Sequence, residues 1–176
     1  MSRYRRNYIA GGTFFFTVKL ADPKSRLLVE HIDLLREAYA FVQKRYPFET
    51  LAICVMPNHL HAVWTLPDSD SNYSLRWRLI KTRFSHHFAA SNVLSASKQR
   101  RHEKGIWQRR FYEHTVHDEA DLQRVVDYVH FNPVKHGFSA SVKDWPFSSF
   151  HHFVRDGLLP PDWGGTTETW AMSFGE

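Results

Sequence analysis

The sequence predicts an α+β fold of the ferredoxin-like kind: a four-stranded antiparallel sheet with helices on one face and a C-terminal tail. Three observations predict it. Apolar runs of strand and helix period follow one another in the order strand, helix, strand, strand, helix, strand, helix. Turn-forming residues punctuate the junctions, and the last forty residues become aromatic and Pro/Gly-punctuated without a period of their own. A chain of 176 residues with 43% hydrophobic content can bury a full core, so one domain is expected over 1–176, with 138–176 as a wrapping tail.

Each element has a local reason. Thr13 to Leu20 (TFFFTVKL) is β-branched and aromatic, bounded by Gly11-Gly12 and Asp22-Pro23, and reads as the first strand. From Leu27 to Tyr46 apolar residues recur at helical spacing until Pro47 stops them. Phe48 to Met56 and His59 to Leu66 read as a hairpin turning at Pro57-Asn58. Leu75 to Phe88 carries the stripe Trp77, Ile80, Phe84, Phe88 and predicts a second helix with basic shoulders. Residues 91–106 lack periodicity and predict a basic loop, and Phe111 to His117 predicts the fourth strand. Asp118 then caps a third helix whose buried stripe is Leu122, Val125, Val126 and Val129.

Chemistry concentrates at two places. His59 and His61, separated by one apolar residue, share a strand face and can grip one divalent cation together. With twelve histidines in the chain such a pair carries little weight alone. On the third helix Tyr128 and Asn132 stand four apart, one turn from each other on one face, although Pro133 disfavours helical geometry at Asn132 and predicts a kink or stop there. If that face meets the histidines, two imidazoles and an amide oxygen surround a cation with a phenol beside it. A tyrosine nucleophile, unlike water, conserves the phosphodiester bond as a phosphotyrosine that a free hydroxyl can later attack, which suits strand transfer over hydrolysis. His130 lies on another helix face and is expected to pack or to contact DNA, while Glu113 and His114 point to opposite faces of the fourth strand, so one of them can support the site from behind.

Charge is distributed unevenly. Residues 1–110 hold 19 Lys and Arg against 8 Asp and Glu, a balance of +11, whereas 111–176 hold 4 against 10, or −6. The basic part predicts a polyanion partner, nucleic acid first. Its candidate contacts are Arg3, Arg5, Arg6, Arg76, Arg78, Lys81, Arg83, Arg100, Arg101, Arg109 and Arg110, with Tyr4, Tyr8 and Trp107 as base-stacking platforms. The single Cys54, in an apolar run, fits a buried thiol in a reducing compartment, and no apolar span reaches membrane length, so a soluble, unsecreted protein is expected.

Four motifs in order are Met56-Pro57-Asn58-His59-Leu60-His61, Trp107 through His114, Tyr128 through Gly137 and Asp144-Trp145-Pro146-Phe147-Ser148-Ser149. Together they resemble the REP-associated tyrosine transposases, bacterial relatives of the single-tyrosine HUH transposases, from about Tyr4 to Trp163. The resemblance implies metal-dependent nicking and joining of single-stranded DNA through a 5′-phosphotyrosine, and recognition of repetitive extragenic palindromes as hairpins with a short guide. It also implies His59 and His61 as metal ligands, Tyr128 as nucleophile and Asn132 as third ligand, where insertion-sequence relatives carry Gln. Mg²⁺ or Mn²⁺ is the implied cofactor and the bacterial cytoplasm, associated with the nucleoid, the implied location. Monomer and homodimer both stay open.

Three other functions compete. A non-catalytic nucleic-acid-binding module on the same fold would leave the histidines and tyrosine structural. A second is a relaxase or rolling-circle replication initiator of the wider HUH class; relaxases usually place the tyrosine before the histidines, whereas here Tyr128 follows His61. A small-molecule metalloenzyme has no use for the basic segment. If phosphate contacts dominate binding, affinity for single-stranded hairpin DNA falls steeply with salt, and neutralising Arg100 and Arg101 together flattens the slope of log affinity against log salt by about two. An unchanged slope would exclude this loop as a contact surface.

Overall fold

The computed structural model describes residues 6–90, 104–165 and positions 100, 171 and 174. Strands β1 (Thr13–Lys19), β2 (Glu49–Val55), β3 (His59–Thr65) and β4 (Tyr112–Thr115) form one antiparallel sheet in the order β2-β3-β1-β4. This is the predicted ferredoxin-like order, with β1 and β3 at the centre. The helices are α1 (Leu27–Glu30), α2 (Ile32–Arg45), α3 (Tyr73–His86), α4 (Glu119–Lys135) and α5 (Phe150–Arg155). The single helix expected over 27–46 is divided at His31, which leaves helical geometry with its ring edge-on to Phe88 at 4.9 Å.

Alternation along the central strands sorts the core into two layers. Phe14, Phe16, Val18, Leu60, Ala62 and Trp64 face α2 and α3, meeting Leu35, Ala38, Val42, Trp77, Ile80 and Phe84. Trp64 stacks on Trp77 at 4.1 Å between centroids, and its indole N–H donates to the Tyr39 hydroxyl at 2.6 Å. The Tyr39 hydroxyl is in turn hydrogen-bonded to Thr50 Oγ1, 2.6 Å away, and the buried polar atoms are satisfied in sequence. The second layer lies on the other face, where Phe15, Ala52, Cys54 and Val63 pack against Val125, Val126 and Val129 of α4. The expectation of helices on one face is thus corrected: α2 and α3 share one face, but α4 covers the other, because its stripe packs on Phe15, Ala52, Cys54 and Val63, which alternate away from α2 and α3.

The expected break at Pro133 does not occur before Lys135. Pro133 sits in the last turn of α4, and its carbonyl accepts from Phe138 N–H at 2.8 Å while Val134 O accepts from Gly137 N–H at 3.0 Å. These two bonds form a Schellman motif around Gly137, whose φ of 70° favours a residue without Cβ. Asn132 stays helical, so its four-residue spacing from Tyr128 is kept. Beyond α4, Ser148 bridges Cys54, Phe147 O accepts from Val55 N–H and Ser149 N–H donates to Ile53 O, so the tail lines the outer edge of β2. No described helix is long and apolar enough to cross a membrane.

Two residues expected at a DNA surface are instead structural. Arg76 is 1% exposed; its guanidinium donates to the carbonyls of Tyr46, Asn72 and Pro47 and to Asp70, tying α3 to the loop after α2. Trp107 is 8% exposed, packed on Phe84 with its N–H on Ser85 Oγ. Arg and Trp read as polyanion contacts by composition, but both sit where the loop before β4 closes onto α3 or where α3 meets its neighbours. Lys104, from the predicted loop, donates to the carbonyls of Ser85, His86 and Phe88 and so caps the C-terminus of α3. Arg76→Met should cost about 3 kcal/mol, because three carbonyls and Asp70 lose their buried donor. Urea denaturation measures it; a loss below about 0.5 kcal/mol would return Arg76 to the surface class.

Candidate active site

The face covered by α4 holds the candidate residues. In the β1–β3 register His61 lies opposite Thr17 and His59 opposite Lys19, and both imidazoles turn away from α2 and α3. Helix α4 runs over them so that the Tyr128 ring centroid is 5.2 Å from that of His61, and the His136 centroid 5.0 Å from that of His59. Tyr128, Asn132 and His136 follow at four-residue intervals on one helix face, so Asn132 lies between the two contacts and opposite the histidine pair. His59, His61, Tyr128 and Asn132 are all buried, at 6% exposure or less. The residues singled out in the sequence are therefore brought together.

Hydrogen bonds behind the imidazoles determine which nitrogen of each faces the site. Asn58 directs its amide N–H₂ to the Pro23 carbonyl, which can only accept, so its Oδ1 faces His59 Nδ1 at 2.6 Å and must receive that proton. Thr17 donates its hydroxyl to the Phe174 carbonyl at 2.9 Å, and its oxygen, 3.0 Å from His61 Nδ1, accepts the second proton. Both rings thus carry hydrogen at Nδ1 and a lone pair at Nε2, the tautomer a metal ligand needs. Sequence reasoning had no means of finding Thr17, since only the register pairs it with His61, and it read Asn58 as a turn residue.

Tyr128 is fully buried and covered by Phe174, whose ring lies 5.0 Å from the phenol and whose N–H reaches the phenolic oxygen at 3.4 Å. Phe15 completes the enclosure at 5.8 Å. Lys135 holds its ammonium 4.9 Å from the centroid of the same ring.

The remaining candidates do not converge here. Glu113 turns to the other face, accepts from the Tyr73 hydroxyl at 3.3 Å and pairs with Arg6 at 4.0 Å. His114 shares the site's face but binds Asp121 at 2.8 Å, anchoring β4 to the first turn of α4. Burial acts to raise the Asp121 carboxyl, but His114, the His117 amide and Arg124 outweigh it and hold the pKa below the usual range. Arg6 stacks over Phe111 at 4.0 Å; Arg83 pairs with Glu37 at 2.9 Å; Lys81 donates to the Gln108 carbonyl at 2.6 Å; Tyr8 stacks on Tyr73. These belong to the α2/α3 side. Arg78, Arg100, Arg109 and Arg110 are exposed, while Arg3, Tyr4, Arg5 and Arg101 lie outside the described residues.

A histidine pair on a central strand thus lies beneath a tyrosine on a covering helix. Residues 21–132 match the family described as Transposase IS200 like. The REP-associated tyrosine transposase of Escherichia coli K12 is 46% identical over 165 residues, 94% of this chain and 92% of that one. A candidate REP-associated tyrosine transposase of Haemophilus influenzae is 44% identical over 169 residues, 96% of each chain. A solved REP-associated tyrosine transposase bound to a REP hairpin superposes with a TM-score of 0.87 at 45% identity, covering 100% of this chain and 98% of that one. The chain belongs to the REP-associated tyrosine transposases of the IS200-like family, and is an enzyme with a tyrosine nucleophile.

His130 packs as expected: it binds Ser149 Oγ at 3.0 Å and lies edge-on to Phe153. Burial, with neighbouring His151, pushes its pKa from 6.5 down to about 3. The unfolded chain takes up a proton that the native state refuses, so stability falls as pH drops from about 6.5 toward 3. His130→Gln should flatten this part of the pH profile of urea midpoints; an identical profile would exclude His130 as its source.

Proposed function

We propose that Tyr128 attacks a phosphodiester in single-stranded DNA flanking a REP hairpin, leaving a 5′-phosphotyrosine and a free 3′-hydroxyl, and that the reaction runs in reverse to join strands. What supports this reading is the adjacent pair of imidazoles, each held at Nδ1 from behind, with the Tyr128 ring 5.2 Å from that of His61. The relative bound to a REP hairpin supports the choice of substrate.

The donor set fits a divalent cation, Mg²⁺ or Mn²⁺. Among the described residues no three His, Cys, Asp or Glu side chains gather as a metal group. The protein's donors would therefore be His59 and His61 nitrogen and the Asn132 amide oxygen, leaving positions for phosphate oxygen and water. Such an ion, when bound, acts as a Lewis acid on the phosphate. Two imidazoles favour Mn²⁺ over the oxygen-seeking Mg²⁺, so Mn²⁺ should act at lower concentration.

The chain's own residues do the rest. Thr17 and Asn58 hold the imidazoles in the binding tautomer, and α4 carries the phenol to them. The phenolic proton leaves to water as the P–O bond to the 3′-oxygen breaks, and that oxygen takes a proton from water.

Tyr128→Phe should keep hairpin affinity and abolish the covalent adduct, while His59→Ala and His61→Ala should each lower nicking by about 10³-fold or more. Denaturing gels of labelled hairpin DNA read both. Full nicking in EDTA, or in the double alanine variant, would leave the binding-module function in its place. Phe174→Ala, by uncovering the phenol, should speed nicking several-fold at unchanged hairpin affinity; a slower rate would mean that Phe174 helps to build the site.

A further inference from the structure

We propose that Lys135 stabilises the negative charge that develops during attack by Tyr128. The proposal rests on Tyr128 being the nucleophile. Lys135 follows Tyr128 by seven residues, about two turns, and so returns to the same face of α4. Side chains on a helix lean toward its N-terminus, which carries the long lysine stem back over the phenol and places Nζ 4.9 Å from the ring centroid.

The ammonium lies beside the ring of the group expected to react. It is only partly buried, so it is within reach of a phosphate arriving from solvent, and the C-terminal end of the α4 dipole favours its charge.

The chemistry at this position calls for a cation. As the bond from Tyr128 Oη to phosphorus forms and the bond to the 3′-oxygen breaks, negative charge spreads over the phenolic oxygen and the non-bridging oxygens. Lys135 stays protonated throughout and neither gives nor takes a proton. In the reverse direction the phenolate is the leaving group, and the same ammonium stabilises the same transition state. Its effect is therefore equal on nicking and joining, and absent from the equilibrium between them.

The test uses the full chain carrying Phe174→Ala, so that uncovering of the phenol does not limit the rate. In that background Lys135→Met, which keeps the stem and removes the charge, should slow nicking and joining by the same factor, about 10²-fold. Hairpin affinity and the cleaved fraction at equilibrium should stay within about twofold. Lys135→Cys should be equally slow, and alkylation of the introduced thiol with bromoethylamine, which rebuilds an ammonium on a lysine-length stem, should restore most of the rate. The native Cys54 does not interfere, being buried with its thiol pushed up by desolvation. Rate at the parent level in Lys135→Met, loss that tracks hairpin affinity, a shifted cleavage equilibrium, or failure of aminoethylation to rescue would each overturn the proposal. Tyr128→Phe is run beside them: an adduct that persists there overturns the nucleophile assignment, whereas an inactive Tyr128→Phe with a fully active Lys135→Met overturns the role of Lys135 alone.

Discussion

The register in which β1 pairs with β3 is the constraint on which the rest of the structure depends. With Thr17 opposite His61 and Lys19 opposite His59, one face of the two central strands is polar at its end and the other is apolar throughout. A slip of one residue would exchange the faces, burying the imidazoles among Trp77 and Phe84 and exposing Phe14 and Phe16. The apolar layer against α2 and α3 enforces the register that turns His59 and His61 toward α4. Fold stability and site geometry are set by the same pairing.

Small residues on β2 then decide how closely the tyrosine helix can approach. Ala52 and Cys54 face α4 and meet Val125 and Val129, so the helix axis comes near enough for Tyr128 to reach His61. Pro133 contributes in a different way. Its missing N–H falls in the last turn, where its carbonyl closes the Schellman motif, and the helix stays regular through Asn132 before ending at Gly137. The end of α4 is consequently sharp, with Lys135 and His136 held over Tyr128 and His59.

Burying two histidines, an amide and a phenol on one face is costly unless each polar atom is used. The back sides of the imidazoles are satisfied by Thr17 and Asn58, leaving their basic nitrogens directed inward. Phe174 joins two of these arrangements, since its carbonyl takes the Thr17 proton and its ring and N–H cover Tyr128. One tail residue thereby links the tautomer of a histidine to the accessibility of Tyr128.

The sequence by itself determined the element order, the strand that bears the histidine pair and the helix that bears Tyr128 and Asn132, because alternation and helical period are local properties of a chain. It determined the family too, through four motifs in order. Tertiary structure alone decided which charged residues are spent internally: Arg76 and Lys104 have the composition of a polyanion surface, but carbonyls distant in sequence or at a helix end claim them. It also decided the partners of the imidazoles, since Thr17 reaches His61 only by strand pairing and Phe174 reaches Tyr128 across 46 positions. Periodicity tells which face a side chain occupies; what stands opposite it is decided by long-range pairing, which no local pattern encodes.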